Sequence, residues 1–215
     1  MRRRISLSLW IAGISAGFLF AQGPDPGRMA LELAKVQNAN DKLMRAFSWK
    51  TRIEIKKKGE TQAVKLDQVR YNLDGKLERT PMSDDTKKIK KKSREWWQGI
   101  ATLARSYMHP SAGTLVDFFQ KAKFQHGTGK MEGTVKITGS AFLNPNDTIR
   151  LWVDATTNKF RKMEFFTTLE KDSVNGAIEY KETSAGLYYP VRTYVQIPNK
   201  KVEAIVETFD LIEQD

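Results

Sequence analysis

Polar and apolar positions along the chain change period several times, and each change marks a new element. From Arg28 to Phe47 the apolar residues Met29, Leu33, Val36, Leu43 and Phe47 fall on one helical stripe, just after Pro26-Gly27, where a helix can begin. Asn40 completes that stripe and reads as a buried, hydrogen-bonded side chain or a helix-end position, with a ligand contact as the rarer reading. The period then falls to two. Phe47, Trp49, Thr51 and Ile53 alternate with polar neighbours, as a half-buried strand requires. Lys58-Gly59-Glu60 turns the chain into a second strand over Thr61 to Leu73, with Val69, Tyr71 and Leu73 on one side. Asp74-Gly75 is a hairpin signal, and a short third strand is expected over Lys76 to Arg79.

The middle of the chain returns to helical spacing. Ser83 to Lys92 is polar and lysine-rich. Ser93 to His109 then reads as a helix through Trp96, Trp97, Ile100, Leu103, Ala104 and Tyr107, ended by Pro110. A second helix is expected from Ser111 to Phe124, closed by Gln125-His126-Gly127. From Met131 onward six alternating runs succeed one another: 135–141, 149–153, 163–167, 174–180, 189–197 and 202–208, with turn residues between them. Such short connections specify an antiparallel meander, since parallel strands need long crossovers. The fold class is α+β: a curved antiparallel β-sheet of about nine strands with an N-terminal helix and a two-helix insert. Residues 24–215 form one domain, with the helix at 28–47, strands at 47–80, the basic loop and two helices at 84–124 and the meander at 131–212.

The start of the chain sets its address. Arg2, Arg3 and Arg4 precede 17 uncharged residues, Ile5 to Ala21, and a Gly/Pro-rich exit follows. A cationic start, an apolar run and small exit residues are the pattern of a secretory signal peptide over residues 1–23, cut after Ala21 or Gly23. The alternative is a retained anchor, for which the run is at the short end. Because the chain has no Cys, a lipid-modified N-terminus, disulfides, thiol catalysis and Cys-based metal sites are excluded. The expected location is the periplasm, as a soluble protein that is not a lipoprotein.

Charge changes the picture next. The formal net charge is +11, or +8 once the three leader arginines are set aside. In an exported chain this points to anionic membrane, acidic glycan or an acidic envelope protein rather than nucleic acid; excess lysine also keeps a β-rich protein soluble. The densest run is Lys87, Lys88, Lys90, Lys91, Lys92 and Arg94, leading directly into Trp96-Trp97. Lysine is drawn to anionic headgroups and tryptophan to the bilayer interface, so the run is a candidate membrane- or partner-docking element. The competing reading is a solvated loop ahead of two core tryptophans.

Catalytic signals are few. His109 and His126 are 17 positions apart and read as helix C-terminal residues facing the macrodipole. No zinc-binding pair, nucleophile elbow, P-loop or dinucleotide motif occurs, and no cofactor is expected. Strand alternation places Glu54, Glu164, Glu179, Glu203 and Glu207 on the solvent side. Asn146-Asp147-Thr148 matches a glycosylation sequon but is accounted for by turn chemistry, and Tyr188-Tyr189-Pro190 reads as ordinary core aromatics at a strand start.

The element order, together with the aromatic-plus-arginine strand Phe47, Trp49 and Arg52, resembles the LolA-like family of periplasmic lipoprotein and lipid carriers, including LolB-type receptors and the N-terminal domain of RseB. The Arg-Pro turn and Arg-Trp pair of LolA itself are absent, so the resemblance implies a general lipid-binding or envelope-sensing variant. It implies that the sheet is an incomplete barrel capped by the N-terminal helix and the two-helix insert, in a non-catalytic, monomeric protein holding lipid or lipoprotein acyl chains between sheet and helices. On that basis the expected cavity lining is Phe47, Trp49, Ile53, Trp96, Trp97 and Ile100 on the N-terminal side. Leu115, Phe119, Val135, Ile137, Leu151, Phe165 and Val191 complete it. The other classes held open are a sensory or protein-interaction module with a solid core, and a hydrolase with carboxylates assembled by the fold.

Overall fold

The computed structural model describes residues 25–88, 90–108 and 110–214, without the side chains of Lys87, Lys88, Lys92 and Ala112. The expected signal peptide at 1–23 and His109 lie outside the described residues. The chain opens with α1 (Pro26–Met44), β1 (Phe47–Lys57), β2 (Glu60–Tyr71) and β3 (Leu77–Asp84). The insert is α2 (Lys91–Met108) and α3 (Ala112–Phe119). Then come β4 (Lys123–His126), β5 (Thr134–Ser140), β6 (Thr148–Asp154), β7 (Phe160–Leu169), β8 (Asp172–Glu182), β9 (Tyr188–Ile197) and β10 (Val202–Glu213). Among the described residues no helix is long and apolar enough to cross a membrane.

Local chemistry accounts for the boundaries. Asp25 caps α1 by accepting from the Gly27 amide at 2.9 Å, with Pro26 in the first turn, where its missing N–H is harmless. Ser111 caps α3 through the Thr114 amide at 3.1 Å. Between β1 and β2, Lys58 (φ 54°) and Gly59 (φ 85°) both take the left-handed conformation that a tight hairpin demands.

All ten strands form one sheet in the order β3-β2-β1-β10-β9-β8-β7-β6-β5-β4, with every neighbouring pair antiparallel. The meander therefore returns its last strand to the first, and β3 and β4 are left as open edges. The sheet is an antiparallel meander, as alternation and turn spacing indicated, and it does not close, in keeping with the incomplete barrel that the resemblance implied. The strand count is ten rather than about nine. The expected helix to Phe124 stops at Phe119, and Lys123–His126 pairs with β5 through Phe124↔Ile137 and His126↔Val135. Phe124 still reaches the core, edge-on to Phe119 at 5.7 Å, so its helix-like spacing was a coincidence of packing. His126 is consequently a strand residue, not a helix terminus.

The third strand is longer than Lys76 to Arg79, reaching Asp84 with a register shift between Leu66 and Asp67 opposite Pro81. Proline is tolerated there because β3 is an edge. Leu73, expected inside the second strand, instead lies in the turn after β2 and is fully exposed.

The three helices cover one face of the sheet. The main core combines Ala30 and Leu33 of α1, Trp97, Ile100, Ala104 and Tyr107 of α2, and Leu115, Phe118 and Phe119 of α3 with inward residues of the strands. A smaller cluster of Met44, Phe47, Trp49, Val69 and Leu187 fills the corner where α1 meets β1. Asn40 proves to be structural: its Oδ1 accepts from the Tyr188 amide at 2.8 Å, tying α1 to the start of β9.

Candidate functional site

The covered face is not filled everywhere. Between α2 and the strands β3-β2-β1-β10 lies a largely apolar cavity of about 180 Å³. Its sheet side is built by alternation: Trp49, Thr51 and Ile53 of β1, Val206 and Thr208 of β10, Tyr71 of β2, Leu77 and Arg79 of β3, and Pro190 of β9. The register aligns these into rows. Thr51 faces Thr208, Ile53 faces Val206, and Trp49, Val69 and Arg79 line up across three strands. The helix side is Ala101, Ala104, Arg105 and Met108, spaced so that one side of α2 looks into the hole, and Met44 closes the α1 end. Leu77 and Arg105 are exposed, whereas Trp49, Thr51, Ala104 and Thr208 are buried, so the cavity opens at the β3 edge.

Polar groups are concentrated at that opening. Asp67, 1 % exposed, lies beside the cavity on β2; its Oδ2 is 2.9 Å from Lys65 Nζ and 4.0 Å from the Arg79 guanidinium. Its Oδ1 has no hydrogen-bond partner among the described residues. Burial, and then the nearby positive charge of Arg105, lower the pKa of Arg79, while Asp67 and Tyr71 act the other way. Burial also raises the Tyr71 hydroxyl above its ordinary value.

Of the residues expected from sequence, Trp49 and Ile53 line this cavity, and Phe47 packs in the small cluster beside it. Trp97, Ile100, Leu115, Phe119, Val135, Ile137, Leu151 and Phe165 all lie in the packed main core. Trp96 is half-buried against that core, with Lys200 Nζ 4.9 Å from its ring centroid and the Trp97 ring edge-on at 5.0 Å. Val191 is half-buried at the register shift between β8 and β9, next to the cavity residue Pro190.

In the basic run, Lys90 and Lys91 are exposed and Arg94 is half-buried; Lys91 lies 3.9 Å from Glu95. The side chains of Lys87, Lys88 and Lys92 are outside the described residues. Sequence reasoning did not single out Arg79 and Arg105. Arg79 shares its strand parity with Leu77, which was a usable signal, but Arg105 gave none.

Among the described residues no three His, Asp or Glu side chains gather as metal ligands. The carboxylates with displaced pKa values are depressed and held by structural partners. At Asp154, burial pushes upward, but Arg161 and the amides of Thr156 and Thr157 prevail and bring it to about 2. Asp147, also opposed by burial, is held below its ordinary value by hydrogen bonds that include those from Tyr107, Leu143 and Asn144.

No family model and no curated protein matches the chain. Three solved structures are similar to it over most of its length. A LolA superfamily protein from Nitrosomonas europaea has 10 % identity and a TM-score of 0.42, covering 86 % of this chain and 94 % of that one. A DUF1329 family protein from Desulfovibrio piger has 10 % identity and a TM-score of 0.45, covering 88 % and 93 %. A domain named for outer membrane lipoprotein sorting, from Vibrio parahaemolyticus, has 13 % identity and a TM-score of 0.40, covering 87 % and 93 %.

Proposed function

We propose that this is an exported, non-catalytic binding protein that holds the apolar chain of a lipid or lipoprotein between its sheet and α2. The observation that carries this reading is the apolar cavity between Trp49, Thr51 and Ile53 below and Ala101, Ala104 and Met108 above. Its size limits the occupant. Engineered apolar holes of about 150 Å³ stay dry and take up benzene, and pockets for drug-sized ligands run from about 300 Å³ upward. A cavity of about 180 Å³ suits one chain segment of roughly the bulk of a small ring, not two full acyl chains. At about 0.8 kcal/mol per buried CH₂, even a short segment supplies useful, reversible affinity without any reacting group.

The signal-like residues 1–23 support the periplasm as its location. The exposed cations Lys90 and Lys91 support docking on an anionic membrane or an acidic envelope protein. The depressed, ion-paired carboxylates support a binding role over a catalytic one, since a general acid needs its pKa raised.

Native mass spectrometry of protein purified from its own envelope tests the reading. Added lipid masses are expected on the wild type, together with uptake of a fluorescent fatty acid, and both should be lost in Ala101→Trp, which fills the cavity from α2. A clean apo mass with no uptake would overturn the proposal and favour a sensory module, the reading to which the densely packed β5–β8 half lends itself.

A further inference from the structure

The two guanidinium groups at the cavity are the feature that hydrophobic binding alone leaves without a role. Arg79 projects from β3 in the same cross-strand row as Val69 and Trp49, and Arg105 follows Ala101 by one helical turn on α2. One cation therefore comes from the sheet and one from the helix. Both line the same cavity, and burial first, then the charge of Arg105, lower the pKa of Arg79.

Among the described residues little compensation is at hand. Asp67 is engaged first by Lys65 at 2.9 Å and stands at 4.0 Å from Arg79, beyond hydrogen-bonding distance. The Arg79 guanidinium donates no hydrogen bond to any described residue, and that of Arg105 donates one, to the neutral Thr102 hydroxyl at 3.1 Å. Counting Lys65, Arg79 and Arg105 against Asp67 leaves an excess of positive charge beside an apolar hole. A guanidinium presents its N–H donors as a planar fork that matches an oxyanion in geometry and charge.

We infer that the cavity takes an anionic single-chain amphiphile, its chain between β1, β10 and α2 and its carboxylate or phosphate head between Arg79 and Arg105. The inference rests on the binding reading above and specifies the ligand class for the same site. The volume supports a single chain, and the arginines sit at the open β3 end, where a head would remain when the chain is inserted. A neutral or cationic head would leave the half-buried Arg79 guanidinium unmatched as the chain displaced water around it.

The test is calorimetric titration of the whole protein with decanoate, decyl phosphate, decanol, decyltrimethylammonium and inorganic phosphate, in wild type and in Arg79→Gln, Arg105→Gln and the double variant. Decanoate and decyl phosphate are expected to bind at least tenfold more tightly than decanol, with an advantage that shrinks as salt rises. The double variant should lose that advantage, so that decanoate, decyl phosphate and decanol bind it alike. Their ratio tells a fatty acid carboxylate from a phosphate head. Thermal melting checks that each variant folds, and Arg105 is exposed enough for Arg105→Gln to keep the test available if Arg79→Gln does not.

Equal binding of decanol and the anions, or an unchanged preference in the double variant, overturns the inference and leaves hydrophobic binding standing. Tightest binding of decyltrimethylammonium overturns it likewise. Inorganic phosphate binding as tightly as decyl phosphate would show an anion site that needs no chain, and would also overturn it. If none of the decyl probes binds, the binding reading falls together with the inference.

Discussion

Helix α2 roofs two regions of the same sheet that are packed in opposite ways. Over β5–β8 it contributes Ile100 and Tyr107 to a core without slack: the Tyr107 ring lies parallel to that of Phe165, centroids 4.1 Å apart and planes within 1°. Gly176 on β8 provides the space for Phe165, since a Cβ there would stand 2.0 Å from the ring. Over β1–β3 and β10 the same helix offers Ala101 and Ala104 to a floor that includes Thr51 and Thr208, and about 180 Å³ stays open. Side-chain size on adjacent sides of one helix thus separates a structural half from a hollow one. The strands of both halves alternate equally well, so alternation alone does not distinguish them.

The sharpest way to break this comparison is truncation on each side. Phe165→Ala should destabilise the protein by about 3–5 kcal/mol, because a fully buried aromatic leaves a cavity that the surrounding jigsaw cannot close. Ile53→Ala, at a half-buried residue already bordering open space, should cost roughly 1 kcal/mol or less. Urea denaturation of the two variants measures the difference. Similar losses would mean that the two halves are packed alike after all.

A polar contact within the packed half gives the next effect in size. The Tyr107 hydroxyl donates to Asp147 Oδ2 at 2.8 Å, deep under α2, and burial together with the Asp147 charge pushes its pKa up to about 12. Tyr107→Phe keeps the stacked ring and removes that donor from a carboxylate that is 1 % exposed. Asp147 retains the amides of Leu143 and Asn144, each at 2.9 Å, so the expected loss is about 1–2 kcal/mol rather than collapse. The carboxyl pKa of Asp147 should rise in the variant, which carbon-detected NMR titration would show; an unmoved pKa would remove Tyr107 from the set of groups that hold the charge.

Much of the architecture could be read in the chain, for identifiable reasons. Period-two stretches around Trp49 and Ile53, and glycine-bearing turns such as Lys58-Gly59, carry their geometry locally, and the structure keeps them. The insert helices were legible from Trp97, Ile100 and Leu115, although β4 was not, because Phe124 continues the helix spacing while pairing opposite Ile137. The site was less legible than the fold. Residues such as Leu151 and Phe165 have the same alternation as Ile53, and only the distance between α2 and each strand decides whether they meet a partner or a gap. Tyr107 and Asp147 are 40 positions apart, and Arg79 and Arg105 meet only once β3 and α2 are in place. Pairings of that range leave no periodic trace.

The smallest expected effect lies in the pH response of the packed half. Asp154 at the end of β6 receives the Arg161 guanidinium at 2.8 Å and the Thr157 amide at 2.8 Å, which bring its pKa to about 2 against the opposing effect of burial. A folded-state pKa below the unfolded value means that the stabilisation is complete above the ordinary aspartate range, near pH 4, and is lost as pH falls through about 2. Asp154→Asn should therefore lower stability modestly at pH 7, by roughly 1 kcal/mol after allowance for solvent around a pair near the surface. The variant should also flatten the fall in melting temperature between about pH 4 and 2. The hollow half provides the control: Glu54 on β1 is depressed too, chiefly through Thr61, but its neighbours Arg52 and Lys56 lie on the outer face, away from the cavity. Acid should accordingly weaken the β6–β7 hairpin without changing the affinity for decanol. An equal loss of decanol binding across that pH range would show that the two halves do not respond independently.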